Sequence, residues 1–132
     1  MKISATVKNA FNAHEATVQT DGSSNQVHIA SKATGFGSSL NGAELLLLSL
    51  ATCFCNDMYR EATKRNIVVT GVEVTVTADF GAPGEPGSNF KYRTNVESGA
   101  PAADIQELIN YVDEIAEIHN TLRKGVSVTL SK

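Results

Sequence analysis

The longest run of apolar residues lies in the middle of the chain, at residues 45–55 within the segment Gly42–Asn66. Its residues are apolar on nearly every side of a helical projection, which predicts a helix enclosed on all sides. Asn41 and Glu44, three positions apart, are typical of a helix start in which each side chain accepts a backbone N–H. The apolar run covers only about a dozen residues, too few for a bilayer span of roughly 20. The pattern therefore predicts a long buried central helix.

Before this helix, apolar and polar residues alternate with the period of a strand. Asp21-Gly22 interrupts the alternation and favours a tight turn. Lys32–Asn41 is rich in Gly and Ser, which predicts a loop. The opening is therefore predicted to be an antiparallel meander or hairpin, with strand candidates at Ile3–Lys8, His14–Thr20 and Asn25–Ser31.

After the helix, two alternating segments, Ile67–Phe80 and Asn89–Ser98, flank a Gly- and Pro-rich stretch and predict a hairpin. Apolar residues then recur every three or four positions over Pro101–Ile118, which predicts an amphipathic helix. A turn at His119–Lys124 and a last strand at Gly125–Ser131 complete the chain. The element order predicts one α+β domain, residues 1–132, with antiparallel sheets and two helices.

Composition narrows the possible functions. The 132 residues are 42% hydrophobic and 19% charged, which is ordinary for one globular domain. The net charge of −3 gives no electrostatic reason to expect nucleic acid or an anionic membrane as a partner. The N-terminus lacks the apolar block of a signal peptide, so we expect a cytoplasmic protein with no membrane partner. In that compartment, we expect Cys53 and Cys55 to be thiols.

Two segments of the chain resemble a known family, the osmotically inducible and organic hydroperoxide resistance proteins (OsmC/Ohr). They are Gly42–Phe54 (GAELLLLSLATCF) and His119–Val126 (HNTLRKGV). The resemblance implies an OsmC-like fold and an intertwined homodimer in the cytoplasm. It also implies a thiol-dependent peroxidase that reduces organic hydroperoxides without a bound cofactor or metal, and Cys53 stands at the position of the attacking cysteine. In the family, a second cysteine resolves the sulfenic acid, and an external dithiol such as a lipoyl group is the reductant.

The chain departs from the family pattern at the residues that assist this cysteine. The family's resolving cysteine begins a Cys-Pro-Val-His-like segment, and the matching residues here are Ala116–His119, which contain no sulfur. Ala43 occupies the position of a glutamate used by the hydroperoxide-resistance subgroup. That subgroup also uses an N-terminal arginine, and residues 13–15 here contain no arginine. Glu44 lies about 13 Å along the helix axis from Cys53, so it does not obviously replace that glutamate.

Several residues near the predicted thiol admit more than one role. Cys53 is either a redox thiol or a small buried apolar residue, and Cys55, on another face, is either core or a weak resolving candidate. Arg60 would favour a thiolate and Asp57 would oppose it, although a surface ion pair explains both. His119 is either a base for Cys53 or a polar residue that ends the second helix. A metal site of Cys53, Cys55 and His119 is weakly indicated, because the spacing lacks a Cys-x-x-Cys.

Two classes of function follow from these observations. The first is a peroxidase that uses one cysteine per subunit and an external thiol as reductant. The second is a non-catalytic module of the same fold that binds a small apolar ligand or a partner, with Cys53 kept for packing.

Overall fold

The computed structural model of the protein describes residues 1–131 and contains two compact units, residues 1–45 and the chain from residue 46 onward. Its element order is three strands, a long helix, two strands and two shorter helices. All the strand pairs are antiparallel. The predicted α+β class with antiparallel sheets is therefore confirmed.

The first unit contains a three-stranded sheet in the order β1-β2-β3, as predicted. Asp21 and Gly22 connect the second and third strands with positive φ angles of 46° and 89°, which Asn, Asp and Gly adopt most readily. The third strand ends at Val27 and not at the predicted Ser31. The strands are β1 (Ile3–Ala10), β2 (Ala13–Thr20) and β3 (Ser23–Val27).

Helix α1 (Gly42–Lys64) begins with the predicted reciprocal cap. The backbone N–H of Glu44 donates to Asn41 Oδ1 at 2.7 Å, and that of Asn41 donates to Glu44 Oε1 at 3.0 Å. These bonds satisfy backbone donors that a helix start leaves free. Glu44 is therefore used by the helix cap.

The prediction that α1 is enclosed on all sides is wrong for the single chain. Its buried residues form one face, mainly in the second half of the helix: Leu50, Phe54, Asp57, Met58, Glu61 and Ala62. Leu48, inside the apolar run, is 56% exposed. Some apolar residues of α1 therefore remain exposed when only the described residues of one chain are considered. An apolar helix face of this kind is typical of a surface that another molecule covers.

The second unit has its core between α1, a two-stranded hairpin and α2. The hairpin consists of β4 (Val69–Asp79) and β5 (Ser88–Ser98) and confirms the predicted one. On β4, Val72, Val74 and Val76 are partly buried, whereas the residues between them face solvent. The fully packed centre comprises Phe54, Met58, Ala62, Leu108 and Val112.

The predicted helix at Pro101–Ile118 is two helices, α2 (Ala102–Ile115) and α3 (Glu117–Lys124). Ala116 separates them with an extended backbone, φ −65° and ψ 109°, and its side chain is fully buried. The predicted turn at His119–Lys124 is therefore wrong, because those residues belong to α3. Helical periodicity did not reveal the break, because Ala116 carries an apolar side chain at a position that suits a continuous helix.

The predicted strand at Gly125–Ser131 is also wrong for the single chain. Residues 125–131 pair with no other strand among the described residues, and Val128 and Leu130 are 94% and 93% exposed. Alternation of apolar and polar residues makes a strand only where a neighbouring strand supplies hydrogen bonds. Among the described residues, no helix is both long and apolar enough to cross a membrane.

Candidate functional site

Cys53 lies on α1 and is partly exposed, with two carboxylates close to its sulfur. Its Sγ lies 3.8 Å from Asp57 Oδ2, one helical turn further along α1. It also lies 4.0 Å from Glu117 Oε2, at the start of α3. The thiol thus has two acidic acceptors within hydrogen-bonding range for sulfur. The sequence placed Asp57 on this face but did not indicate Glu117.

The break at Ala116 positions the start of α3 beside the same sulfur. The backbone of Ile118, in the first turn of α3, lies near Cys53 and lowers the pKa of its thiol. Donors at a helix start favour an anionic sulfur. The site therefore contains one group that stabilises a thiolate and two carboxylates that oppose it.

The influences that raise the pKa of the Cys53 thiol outweigh the one that lowers it. Burial is the largest influence and raises the pKa of the Cys53 thiol, and the negative charges of Asp57 and Glu117 raise it further. The Ile118 backbone acts in the other direction but does not compensate. Because the pKa lies above its usual value, Cys53 is mostly a neutral thiol near pH 7.

Arg60 is held by carboxylates and not by the Cys53 sulfur. Its Nη1 lies 2.8 Å from Asp57 Oδ1, and its Nε donates to Glu61 Oε1 at 3.1 Å. This arrangement matches the ion-pair interpretation of Asp57 and Arg60. Burial nevertheless raises the pKa of the Asp57 carboxyl, although the charge of Arg60 lowers it. The charge of Asp57 is therefore less favourable in the folded protein than in the unfolded chain.

His119 is placed inside α3 and not at the end of a helix, which corrects the structural role predicted for it. Its side chain is 5% exposed, and its ring lies 4.7 Å from that of Tyr92 and 5.9 Å from that of Phe54. Neither ring nitrogen has a hydrogen-bond partner among the described residues, so His119 does not contact Cys53 as a base. Burial, followed by the charge of Arg123, lowers the pKa of His119, which is therefore neutral at pH 7.

A second polar group, which sequence reasoning missed, lies beside His119. The Tyr92 hydroxyl and Arg123 Nη2 both donate to Asp113 Oδ1, the latter at 2.7 Å. Burial would raise the pKa of Asp113, but these two bonds hold it below its usual value. Burial and Asp113 raise the pKa of the Tyr92 phenol. The three residues come from β5, α2 and α3, so no sequence spacing could have connected them.

Cys55 lies apart from this site. It lines a shallow surface depression with Ala51, Thr52, Asn56 and Val74. Cys53, Cys55 and His119, the metal set that the sequence indicated only weakly, are therefore not brought together. A different set is close enough to hold one cation, because donor atoms of Cys53, Asp57 and Glu117 all lie within 4.8 Å of one another. That set offers one thiol and two carboxylates.

Comparison with known proteins gives the family. A model of OsmC-like proteins matches residues 35–131. No curated protein matches the sequence significantly. The fold is similar to that of an OsmC-like protein from Mycoplasma pneumoniae, with 22% identity and a TM-score of 0.62 over 92% of this chain and 86% of the other.

Two further structures support the same fold. An OsmC-like hydroperoxide resistance protein from Jannaschia sp. is 15% identical, with a TM-score of 0.57 over 96% of this chain and 90% of the other. An organic hydroperoxide resistance protein OsmC from Legionella pneumophila, described as a predicted redox protein, is 19% identical, with a TM-score of 0.54 over 93% and 90%. Because the family model covers more than half of the sequence, this chain belongs to the OsmC-like protein family.

Proposed function

We propose that the protein reduces organic hydroperoxides in the cytoplasm, with Cys53 as the attacking sulfur. The observation that carries the proposal is the partly exposed Cys53 thiol, which lies beside the start of α3, where the Ile118 backbone lowers its pKa. An influence of this kind stabilises the thiolate, which is the nucleophilic form of cysteine. Family membership and the names of the Jannaschia and Legionella proteins support the same chemistry.

The reaction has two balanced steps. The Cys53 thiolate attacks the terminal peroxide oxygen, the O–O bond breaks, and the alkoxide leaves as an alcohol after taking up a proton. Cys53 is thereby oxidised to a sulfenic acid, and the hydroperoxide is reduced. An external dithiol then attacks the sulfenic sulfur and releases water. Its second sulfur displaces Cys53 as a thiol, and the dithiol leaves as a disulfide.

The reductant must be external because the chain supplies no resolving sulfur near Cys53. Ala116 stands at the position of the family's resolving cysteine. Cys55 lines a separate depression. Within one regular helix, residues two apart project about 200° apart, so Cys55 cannot reach Cys53 without distortion of α1.

Replacement of each cysteine separately tests the proposal. For Cys53→Ser, we expect hydroperoxide consumption in the presence of a dithiol to fall to the uncatalysed rate. For Cys55→Ser, the matched control on the same helix, we expect a rate within about twofold of the parent. The measurement is the loss of cumene hydroperoxide, with dihydrolipoamide as reductant. Equal rates for Cys53→Ser and the parent protein would exclude Cys53-dependent peroxidase activity.

The second candidate, a non-catalytic binding module, is favoured by one specific observation: the raised pKa of the Cys53 thiol. If Cys53 serves only for packing, the folded protein will resist alkylation of Cys53 at neutral and at high pH alike. If Cys53 is a redox thiol, alkylation will accelerate as pH rises towards its pKa, because the thiolate is the reactive form.

We further propose that the protein forms a homodimer. The apolar residues left exposed on one chain support it, notably Leu48 on α1 and the alternating Val126, Val128 and Leu130. A segment with unpaired backbone groups and apolar side chains is suited to strand pairing with a second copy.

Sedimentation equilibrium tests the dimer. We expect a mass near twice the chain mass of 14.0 kDa. Val128→Asp should shift the mass towards one chain, because it places a charge among the apolar side chains of this segment. Thr129→Asp, on the alternate side of the segment, is the matched control and should leave the dimer in place. A parent protein that sediments as one chain at all concentrations would contradict the proposal.

A further inference from the structure

The most unusual polar group in the second unit is His119. The residue is 5% exposed, yet neither Nδ1 nor Nε2 has a hydrogen-bond partner among the described residues. Buried polar groups are nearly always paired, because burying one without a partner is costly. A neutral imidazole carries one donor and one acceptor, and in His119 both nitrogens are unpaired and sealed from solvent.

His119 lines a groove of about 440 Å³ that lies entirely within the second unit. This volume falls within the range of small-molecule sites. The walls are largely apolar, with Leu50 from α1, Val76 from β4, Phe90 from β5 and Leu122 from α3. None of the residues that line the groove is acidic. Cys53 is not among the residues that line it.

Arg123 and Lys91 supply the positive charges in this groove. Arg123 Nη1 donates to the Asp113 backbone carbonyl and to Asn120 Oδ1, and Arg123 Nη2 donates to Asp113 Oδ1. A guanidinium has five N–H groups. These three bonds leave two of them free. Asp113 therefore holds Arg123 in place, while part of its planar donor set stays available for a ligand.

We propose that this groove binds an unbranched amphipathic carboxylate, with its head group beside Arg123 and Lys91 and its tail along Leu50, Val76, Phe90 and Leu122. A guanidinium with two free N–H groups matches a carboxylate in shape and charge. The absence of acidic lining residues removes the main source of repulsion. The apolar walls suit an alkyl chain. The inference goes beyond the peroxidase proposal and does not depend on Cys53 chemistry.

Binding of straight-chain acids to the Cys53→Ser protein tests this inference without interference from redox chemistry. We expect isothermal titration with hexanoate, octanoate and decanoate to show a Kd that falls about fourfold per added methylene. The matching alkanols should bind at least about tenfold more weakly, because they lack the charged hydrogen bonds to Arg123. Alkanols that bind as tightly as the acids, or a Kd independent of chain length, would overturn the inference.

Two substitutions that each introduce one negative charge test the location of the site. Leu122→Glu places a carboxylate inside the groove at a side chain that is 39% exposed, so the fold should tolerate it. We expect it to weaken octanoate binding at least tenfold. Thr121→Glu adds the same charge at an exposed position of α3 that does not line the groove, and it should change the Kd by less than about twofold. Unchanged binding by Leu122→Glu, or equal loss in both variants, would overturn the assignment of the groove.

Discussion

Asp57→Asn should make Cys53 react faster at neutral pH. Asp57 Oδ2 lies 3.8 Å from the Cys53 sulfur, and its negative charge raises the pKa of the thiol. Two like charges about 4 Å apart repel by about 1 kcal/mol even in a water-like dielectric. We therefore expect at least about fivefold faster alkylation of Cys53 by iodoacetamide at pH 7. Glu117→Gln should act in the same direction, since Glu117 Oε2 lies 4.0 Å from the sulfur.

The pH profile separates this electrostatic effect from a change in access. A group whose pKa is raised loses its proton only at higher pH, so the midpoint of alkylation for the parent should lie above the usual value of a thiol. Asp57→Asn should move that midpoint to lower pH and leave the plateau rate at high pH unchanged. Asp104→Asn, an exposed change in the first turn of α2, is the control and should do neither. A midpoint that does not move in Asp57→Asn would contradict the electrostatic account.

Asp57→Asn should leave the fold intact. The pKa of the buried Asp57 carboxyl is raised by burial, so its charged form is less favourable in the folded state than in the unfolded chain. For a carboxyl group shifted in this direction, stability increases as pH falls through the raised pKa, and a neutral side chain of the same shape retains that benefit. We therefore expect the free energy of unfolding of Asp57→Asn at pH 7 to equal or exceed that of the parent.

Phe54→Ala should remove about 3–5 kcal/mol from the free energy of unfolding. Phe54 is completely buried at the centre of the second unit, where its ring lies 4.9 Å from that of Tyr92. Truncation loses the transfer energy of the ring and leaves a cavity that Met58 and Val112, also completely buried, cannot readily fill. Urea unfolding at a fixed protein concentration measures the change.

Leu48→Ala is the matched control on the same helix. Leu48 is 56% exposed on the single chain, so its truncation should change the free energy of unfolding of the second unit by less than about 1 kcal/mol. If the homodimer covers this face, Leu48→Ala will instead weaken association. Equal destabilisation of the monomer by Leu48→Ala and Phe54→Ala would show that the core is not where the structure places it.

The strands and helix starts were predictable where local pattern determines them. The Asn41–Glu44 cap, the Asp21-Gly22 turn and the alternating strands all depend on residues close in sequence. The burial of α1 was not predictable in this way. Its apolar residues showed that the helix needs extensive cover, but they did not show which of its faces the rest of one chain would cover.

The site was predictable only in part, for a similar reason. The sequence motif located Cys53, and helical spacing placed Asp57 and Arg60 near it. Glu117 and the Ile118 backbone come close to the sulfur only because the helix breaks at Ala116, and no local sequence pattern indicated that break. The only available signal was the match of Ala116–His119 to the family's resolving segment. That match showed which sulfur was missing but did not show that Glu117 lies beside Cys53.

Whether Cys53 is the attacking sulfur is decided by trapping its oxidised form. The protein is treated with one equivalent of cumene hydroperoxide in the presence of dimedone, which reacts with sulfenic acids, and its peptides are analysed by mass spectrometry. We predict one dimedone adduct per chain, on Cys53, with none on Cys55. Hydroperoxide treatment that leaves Cys53 unmodified, or that modifies Cys55 in its place, would contradict the assignment.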